Sequence, residues 1–444
     1  MRVFGALTLA VMLACAPSPS PVSSDFLLGG IQVNEPDLGV WHDALVDHGF
    51  NAISLTTYAQ QGLWSSADLE FTPAEENRDL LAEMESARGK GLRVVLIPRI
   101  ALDHAIPGNE FLWHGLILPR EEELDLWFER YGEFVLGWAR QAEEYGVEVF
   151  GLGSELSSLT STRPVDALPE LEEYYLDQEK QEAVKQRALS AEGADVLGPR
   201  VGGWDATRED LPSYLAERDA STTAWAQAVT NGGDVEWVNR RRLLIDAHWR
   251  RLVAQVREVY SGRLTYAANF DQYQQVGFWD ALDVIGVNAY FPLRSDLALA
   301  SDSPALETTF AASWSETLEA FKELLERDGL QGRPFLFTEI GYTRRAGGTL
   351  EPWAGDGFAV TGAGERSRLV VWKEQPVVPG ERVLAVRSLR EAVASSTVEL
   401  EGLLWWKLST LPQHHEVEEF LLVLGEEPPD PLLEELRAFH AAPD

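Results

Sequence analysis

The fold of this 444-residue chain is indicated first by one short stretch, Val147-Glu-Val-Phe-Gly-Leu-Gly-Ser-Glu155. Apolar residues and glycines fill most of it up to the final glutamate, which is typical of a strand buried on both faces of a parallel sheet. A longer segment, 121–145, comes just before it and carries apolar residues at helical spacing. A helix that leads directly into a buried strand predicts parallel β/α construction.

The same alternation continues in both directions from this stretch. Eight strands are predicted, at 26–32, 51–57, 92–99, 147–155, 264–270, 284–290, 334–341 and 403–408. Helical segments lie between them, among others at 74–89, 121–145, 235–260, 313–328 and 382–394. Eight strands with intervening helices predict an α/β fold of the (β/α)8 TIM-barrel type, with residues 25–444 as a single catalytic domain.

Two long insertions interrupt this rhythm, at about 160–233 and about 346–380. They follow the fourth and the seventh strand. Loops that follow the strands of a barrel form its C-terminal face, where active sites are built. We therefore expect both insertions to border a substrate cleft, although a purely lateral surface decoration is an equal alternative for much of 165–200.

The N-terminus has the pattern of a bacterial lipoprotein signal. Arg2 is followed by an apolar run, 3–14, that is too short to span a bilayer, and then by Cys15. A Pro/Ser-rich tether occupies 16–24. We expect Cys15 to be lipidated, which would place the protein outside the cytoplasm on a bacterial cell membrane, the outer membrane in a Gram-negative cell. An ordinary cleaved signal peptide with an incidental cysteine is the alternative.

Composition excludes several classes of function. The net charge is −34, with 71 acidic against 37 basic residues, so nucleic acid is not an expected partner and polyanions would be repelled. Cys15 is the only cysteine, which argues against a disulfide framework or a thiolate metal site. The pair His414-His415 lacks a third ligand at suitable spacing. We predict no metal and no cofactor, and we expect a monomer.

Two glutamates carry the chemistry. Glu155 ends the fourth predicted strand, and Glu339 lies near the end of the seventh, Pro334-Phe-Leu-Phe-Thr-Glu-Ile-Gly-Tyr342. A carboxylate in such a strand is costly unless it is paired or functional, so each alone could be a salt-bridged residue of the barrel rim. Strands four and seven face each other across a barrel mouth. Glycoside hydrolysis with retention needs two carboxyl groups about 5–5.5 Å apart, and this pair could supply them.

Several longer motifs carry a family resemblance. They are Trp113-His-Gly-Leu-Ile117, Trp127-Phe-Glu-Arg-Tyr131, Phe150-Gly-Leu-Gly-Ser-Glu-Leu156, Leu264-Thr-Tyr-Ala-Ala-Asn269, Phe278-Trp-Asp-Ala-Leu-Asp-Val-Ile-Gly-Val-Asn-Ala-Tyr-Phe-Pro-Leu293, Thr338-Glu-Ile-Gly-Tyr342 and Trp405-Trp406. In order and spacing the chain resembles glycoside hydrolase family 113, the β-mannanases of the barrel clan with glutamates on strands four and seven. The resemblance implies that Glu155 is the acid/base, that Glu339 is the nucleophile, and that the substrate is β-1,4-mannan or glucomannan.

The chain also departs from the wider clan. Ser154 stands where much of that clan has asparagine before the acid/base, and both insertions are larger than the family pattern. These departures bear on the specificity that the resemblance implies. The same chemistry on another glycan such as an exopolysaccharide, transglycosylation, and a non-catalytic glycan-binding surface lipoprotein remain open.

Further side chains are candidates for substrate contact, each with core packing or structural pairing as the alternative. By resemblance, Tyr290 would hydrogen-bond the nucleophile, and either Trp405 or Trp406 would form the floor of the −1 subsite. Adjacent strand residues point to opposite sides, so only one can do so, and we choose Trp406. Arg99 could bind a sugar hydroxyl or pair with Glu155. The remaining substrate-binding candidates are Asn269 and the possible stacking platforms Trp113, Trp204 and Trp353.

Overall fold

The computed structural model describes most of the chain after the N-terminal 25 residues. It covers 26–167, 211–295, 298–353 and 376–440, together with the short strands 194–196, 200–201, 204–205, 358–361 and 368–372. The predicted lipidation residue Cys15 and the tether lie outside the described residues. Within these ranges no helix combines the length and apolar character needed to cross a bilayer.

Eight parallel strands form the centre of the fold. Their bounds are β1 Leu27–Gln32, β2 Ala52–Gln61, β3 Arg93–Leu102, β4 Val149–Ser154, β5 Arg263–Asn269, β6 Ile285–Asn288, β7 Phe335–Ile340 and β8 Leu400–Ser409. Neighbouring strands follow the order β1-β8-β7-β6-β5-β4-β3-β2. The two ends of this path also meet, because the Asn51 backbone N–H donates to the Leu28 carbonyl at 3.0 Å. The predicted TIM-barrel fold is confirmed.

Nine helices are described around the strands. Their bounds are α1 Leu38–Asp47, α2 Arg78–Gly89, α3 Leu124–Tyr145, α4 Ser157–Thr160, α5 Leu211–Thr230, α6 Val235–Arg257, α7 Ala305–Asp328, α8 Gly380–Ser395 and α9 Leu432–Arg437. Three of them, α1, α2 and α6, begin at a side-chain cap. The Asp234 carboxylate caps α6 by accepting from the Trp237 N–H at 3.0 Å. Because Asn77 caps α2, that helix starts later than the predicted 74, and α7 starts well before the predicted 313.

The core has two layers. Small and branched apolar residues fill the barrel interior: Leu27, Ala52, Val95, Ile97, Val149, Ala267, Val284, Leu336 and Leu404. A larger layer between strands and helices holds most of the buried aromatic side chains, including the fully buried Trp127, Trp249 and Trp314. Gly29 permits closure of the barrel, since a Cβ at this position would lie only 2.5 Å from the Ala52 carbonyl oxygen.

The two insertions meet each other. Ala194–Val196, from the first insertion, pairs antiparallel with Arg368–Trp372 from the second, which also pairs with Phe358–Thr361. Helix α5 of the first insertion is joined to the barrel by Trp225, whose indole N–H donates to the Leu116 carbonyl at 2.8 Å. The sequence patterns placed both insertions on the same face of the barrel, but they did not predict this shared sheet.

Candidate active site

Glu339 lies on β7 and is held from two sides. Its side chain is only 4% exposed. The Tyr290 hydroxyl donates to Glu339 Oε2 at 2.7 Å, and the Arg99 guanidinium donates to Oε1. Tyr290 comes two residues after the end of β6, and Arg99 belongs to β3. Contacts from two other strands therefore fix the orientation of this carboxylate.

The partner of Arg99 differs from the one that the sequence suggested. Pairing with Glu155 was one expectation, but the guanidinium forms its ion pair with Glu339 instead. The barrel explains the difference, because β3 points Arg99 across the mouth toward β7. The same guanidinium lies 5.3 Å from the centre of the Trp406 ring, so Arg99 links the carboxylate to the end of β8.

Glu155 follows β4 directly and has an unusual backbone. Its φ of 54° lies in the left-handed region, a conformation that costs a non-glycine residue free energy and that occurs often at functional sites. The turn is secured on both sides. The Glu155 N–H donates to the Ala267 carbonyl at 2.9 Å, and the Leu156 N–H donates to the Tyr266 hydroxyl at 2.7 Å. The carboxylate points into the barrel mouth and is 14% exposed.

Asn288 connects the two glutamate-bearing strands. It ends β6, and its amide nitrogen donates to Ser154 Oγ at 3.2 Å. Its amide oxygen accepts from Thr338 Oγ1 at 2.8 Å. Ser154 and Thr338 immediately precede Glu155 and Glu339, so one buried amide sets the relative position of both. The serine that departs from the clan pattern is thus used inside the protein, in a contact that sequence reasoning missed.

The surroundings shift the two carboxyl pKa values in opposite directions. Burial raises the pKa of Glu339 above its ordinary value, and the charge of Arg99 and the Tyr290 hydrogen bond offset this only in part. Burial also opposes ionisation of Glu155, but the hydrogen bond and charge of His114, followed by the charge of Arg99, hold the pKa of Glu155 below its ordinary value. Burial raises the pKa of Tyr290 well above its ordinary range, which keeps its hydroxyl neutral and able to donate.

The two adjacent tryptophans of β8 point to different environments. Trp405 is fully buried, and its indole N–H donates to the Phe420 carbonyl at 3.2 Å. Trp406 is half-buried and lies against Arg99, while the Lys407 ammonium is 4.3 Å from its ring centre. Of the two, Trp406 is therefore the residue next to the glutamate pair.

The other predicted contact residues lie in different surroundings. Trp113 is 38% exposed and packs edge-on against His114. Trp353 is 49% exposed and stacks on Phe270 with ring centres 5.2 Å apart. Asn269 ends β5, and its side-chain oxygen accepts from the Phe270 N–H at 3.0 Å. Trp204 pairs through its backbone with Val201, and its side chain lies outside the described residues.

Two titratable groups at the site had not been singled out. His114 Nε2 lies 3.1 Å from Glu155 Oε2; the residue was noted within a motif but given no role. Asp271 comes two residues after the end of β5. Desolvation by the surrounding protein, with a smaller contribution from the charge of Glu155, raises the pKa of Asp271 to about 6. The pair His414-His415 does not converge, since His414 bonds Ser409 Oγ at 2.7 Å and His415 faces Glu426.

Comparisons with known proteins agree with the barrel fold. The sequence model of Glycoside Hydrolase Family 113 matches residues 41–164 and 232–367, more than half of the chain. The fold is similar to that of the GH113 β-mannanase AaManA from Alicyclobacillus acidocaldarius in complex with ManMIm, at a TM-score of 0.54 and 17% identity, covering 94% of this chain and 100% of that one. The fold is also similar to that of a GH113 β-1,4-mannanase solved as a complex. The TM-score is 0.52 and the identity 18%, covering 94% of this chain and 98% of that one. No curated protein matches the chain in sequence.

Proposed function

Since this chain belongs to glycoside hydrolase family 113, we propose that it cleaves β-1,4-mannan or glucomannan internally, with net retention at the anomeric carbon. One observation carries the proposal. Two carboxylates, Glu155 and Glu339, stand at the C-terminal ends of β4 and β7, and the single amide of Asn288 positions the residues before them. A carboxylate pair across a barrel mouth is the arrangement that retaining glycosidases use.

The reaction runs in two steps. Glu339 attacks the anomeric carbon while Glu155 gives its proton to the departing glycosidic oxygen, which leaves a covalent glycosyl-enzyme and a free chain end. A water molecule then attacks the same carbon. Glu155 takes a proton from this water, and Glu339 leaves as a carboxylate. Tyr290 and Arg99 hold Glu339 throughout, through the contacts at its two oxygens. The hydrogen bonds they donate favour the ionised nucleophile against the effect of burial.

A neutral glycan suits this cleft better than a charged one. Glu155, Glu339 and Asp271 all bring negative potential to the mouth, in a chain whose net charge is −34, so a polyanion would be repelled. The exposed indoles of Trp113 and Trp353 offer apolar faces on which pyranose rings can stack. These features support a neutral polysaccharide, and the mannan assignment rests on the family.

The proposal is tested by a hydrolysis screen of the detergent-solubilised full chain on mannan, glucomannan, xylan, β-glucan and chitosan. We expect new reducing ends from mannan and glucomannan, with a fall in polymer length early in the reaction. Release from another polymer alone would retain the chemistry and overturn the substrate. Mannan binding with no turnover would overturn the hydrolase assignment in favour of a glycan-binding surface protein.

We further propose that Cys15 carries a lipid that anchors the enzyme outside the cytoplasm. Its support is the sequence pattern at 3–24. In a bacterial host, cells fed an alkyne-tagged fatty acid should label the wild-type chain, and Cys15→Ser should lose the label and leave the membrane fraction. Ser18→Ala, a change in the tether, serves as the matched control and should label like wild type. Full labelling of Cys15→Ser would contradict the proposal.

A further inference from the structure

His114 is a titratable side chain in direct contact with the acid/base, and the mechanism above leaves it without a role. We propose that His114 and Glu155 hold the catalytic proton as a pair, with His114 as the positioning residue that returns this proton to Glu155 when substrate is bound. The inference rests on the proposed function for its catalytic meaning. The sharing of one proton by the pair is testable without turnover.

The segment that carries the imidazole is held by several contacts. His114 opens a short 3-10 turn, His114–Leu116, which is closed by the Ile117 N–H donating to the His114 carbonyl at 3.1 Å. The Trp225 indole binds the Leu116 carbonyl, and the Trp113 ring packs edge-on at 5.1 Å. His114 is 32% exposed and Glu155 is 14% exposed, so the imidazole is the more exposed member of the pair. A proton from solvent can therefore reach the imidazole that contacts Glu155.

A general acid must carry a proton when the glycosidic bond breaks, and Glu155 is poorly placed to keep one alone. His114 and Arg99 favour its ionised form in the free site. The other titratable groups that act on it electrostatically are Glu339, Asp271, Tyr266 and Tyr290. Helix α4, which packs against the His114 turn, brings only serines, a leucine and a threonine. Among the titratable groups in the described part of the chain, His114 is the one that forms a hydrogen bond with Glu155.

The proton balance is simple. The free site holds one proton, as imidazolium beside carboxylate or as neutral imidazole beside carboxylic acid. When a sugar displaces water from the mouth, the ion pair loses solvation. The neutral form, with the proton on Glu155, then becomes more populated. Bond cleavage passes that proton to the leaving oxygen. In the second step, Glu155 takes a proton from the attacking water, and the pair shares it again.

The test in turnover is the pH dependence of kcat/KM for wild type and His114→Gln, a variant that keeps a side-chain hydrogen-bond donor but cannot carry the proton. The proton of a pair is lost at a higher pH than that of either member alone. We therefore expect the alkaline limb to move to lower pH by about one unit, with activity at the acidic end kept within about threefold. A uniform loss at every pH, with no shift of the limb, is what a merely structural role predicts, and it would overturn the proposal.

A second measurement does not need turnover. The chain has eight histidines, so the imidazole signal of His114 can be identified in labelled protein by its absence from His114→Gln. Glu155→Gln should move the titration midpoint of that signal to lower pH by about one unit, because a neutral amide replaces a carboxylate partner. Asp271→Asn changes a nearby carboxylate that does not contact His114, and it should leave the His114 midpoint within about 0.3 unit of the wild-type value. If the His114 midpoint is unchanged in Glu155→Gln, proton sharing is overturned. If the midpoint shifts but the wild-type chain cleaves no glycan, only the proposed function is overturned.

Discussion

Replacing Glu339 with alanine should lower mannan turnover by about 10⁴-fold to 10⁶-fold, the scale of loss when a covalent nucleophile is removed. The reason is that no other carboxylate is held by both Arg99 and Tyr290 at the end of β7 among the described residues. Initial rates of reducing-end release measure the effect. Circular dichroism then shows whether the barrel of the variant is intact. Substrate binding by the variant should persist.

Azide tests the role assigned to Glu339. In Glu339→Ala, azide can enter the vacated space and attack an activated β-glycoside directly, which yields an azide of inverted configuration. Glu401→Ala is the matched control, because Glu401 is a largely buried barrel carboxylate, 13% exposed and paired with Arg263, near the opposite end of the strands. It should keep activity within about threefold, since its loss affects stability more than chemistry. Full activity of Glu339→Ala would contradict the assignment.

Replacing Glu155 with alanine should separate substrates by their leaving groups. A mannan chain leaves as a poor leaving group that needs protonation, so its turnover should fall by about 10²-fold to 10⁴-fold. An aryl glycoside with a good leaving group needs no proton in the first step. Its glycosyl-enzyme should form at nearly the normal rate and then accumulate, because the base of the second step is missing. A rapid burst of aryl alcohol, followed by slow turnover, is the signal to measure.

The azide product from Glu155→Ala distinguishes the two glutamates from each other. Here azide attacks the glycosyl-enzyme, so the product should keep the configuration of the substrate. This comparison matters because the surroundings raise the pKa of Glu339 and lower that of Glu155 in the free site, the reverse of what a nucleophile and an acid require. An inverted azide from Glu155→Ala together with a retained one from Glu339→Ala would exchange the two roles.

The fold could be predicted from the sequence because its signals are local. The run at 147–155 has the composition of a buried strand, and the segment at 121–145 has helical spacing. Each is visible within one window of the chain, and eight such strands with helical segments between them leave few architectures other than a barrel. Element ends were less accurate. Strand β6 stops at Asn288, before the predicted 290, because strand ends depend on where the neighbouring strand stops pairing.

The two glutamates could also be proposed from the sequence, since a carboxylate at the end of a buried strand is costly enough to require a reason. What surrounds them could not. Arg99 is 240 residues from its partner Glu339, and Asn288 is 134 residues from Ser154. No local pattern records such pairs, so the sequence could offer Glu155 only as one possible partner of Arg99.

The sequence by itself therefore determined the barrel and the strands that carry the glutamates. Only the tertiary structure decided that Arg99 binds Glu339, that Asn288 joins the two glutamate-bearing strands, and that His114 contacts Glu155. The physical reason is that strand and helix formation follow from residues a few positions apart, whereas a site at a barrel mouth exists only after the strands close. Side chains from β3, β4, β6 and β7 then meet at distances that sequence spacing does not encode.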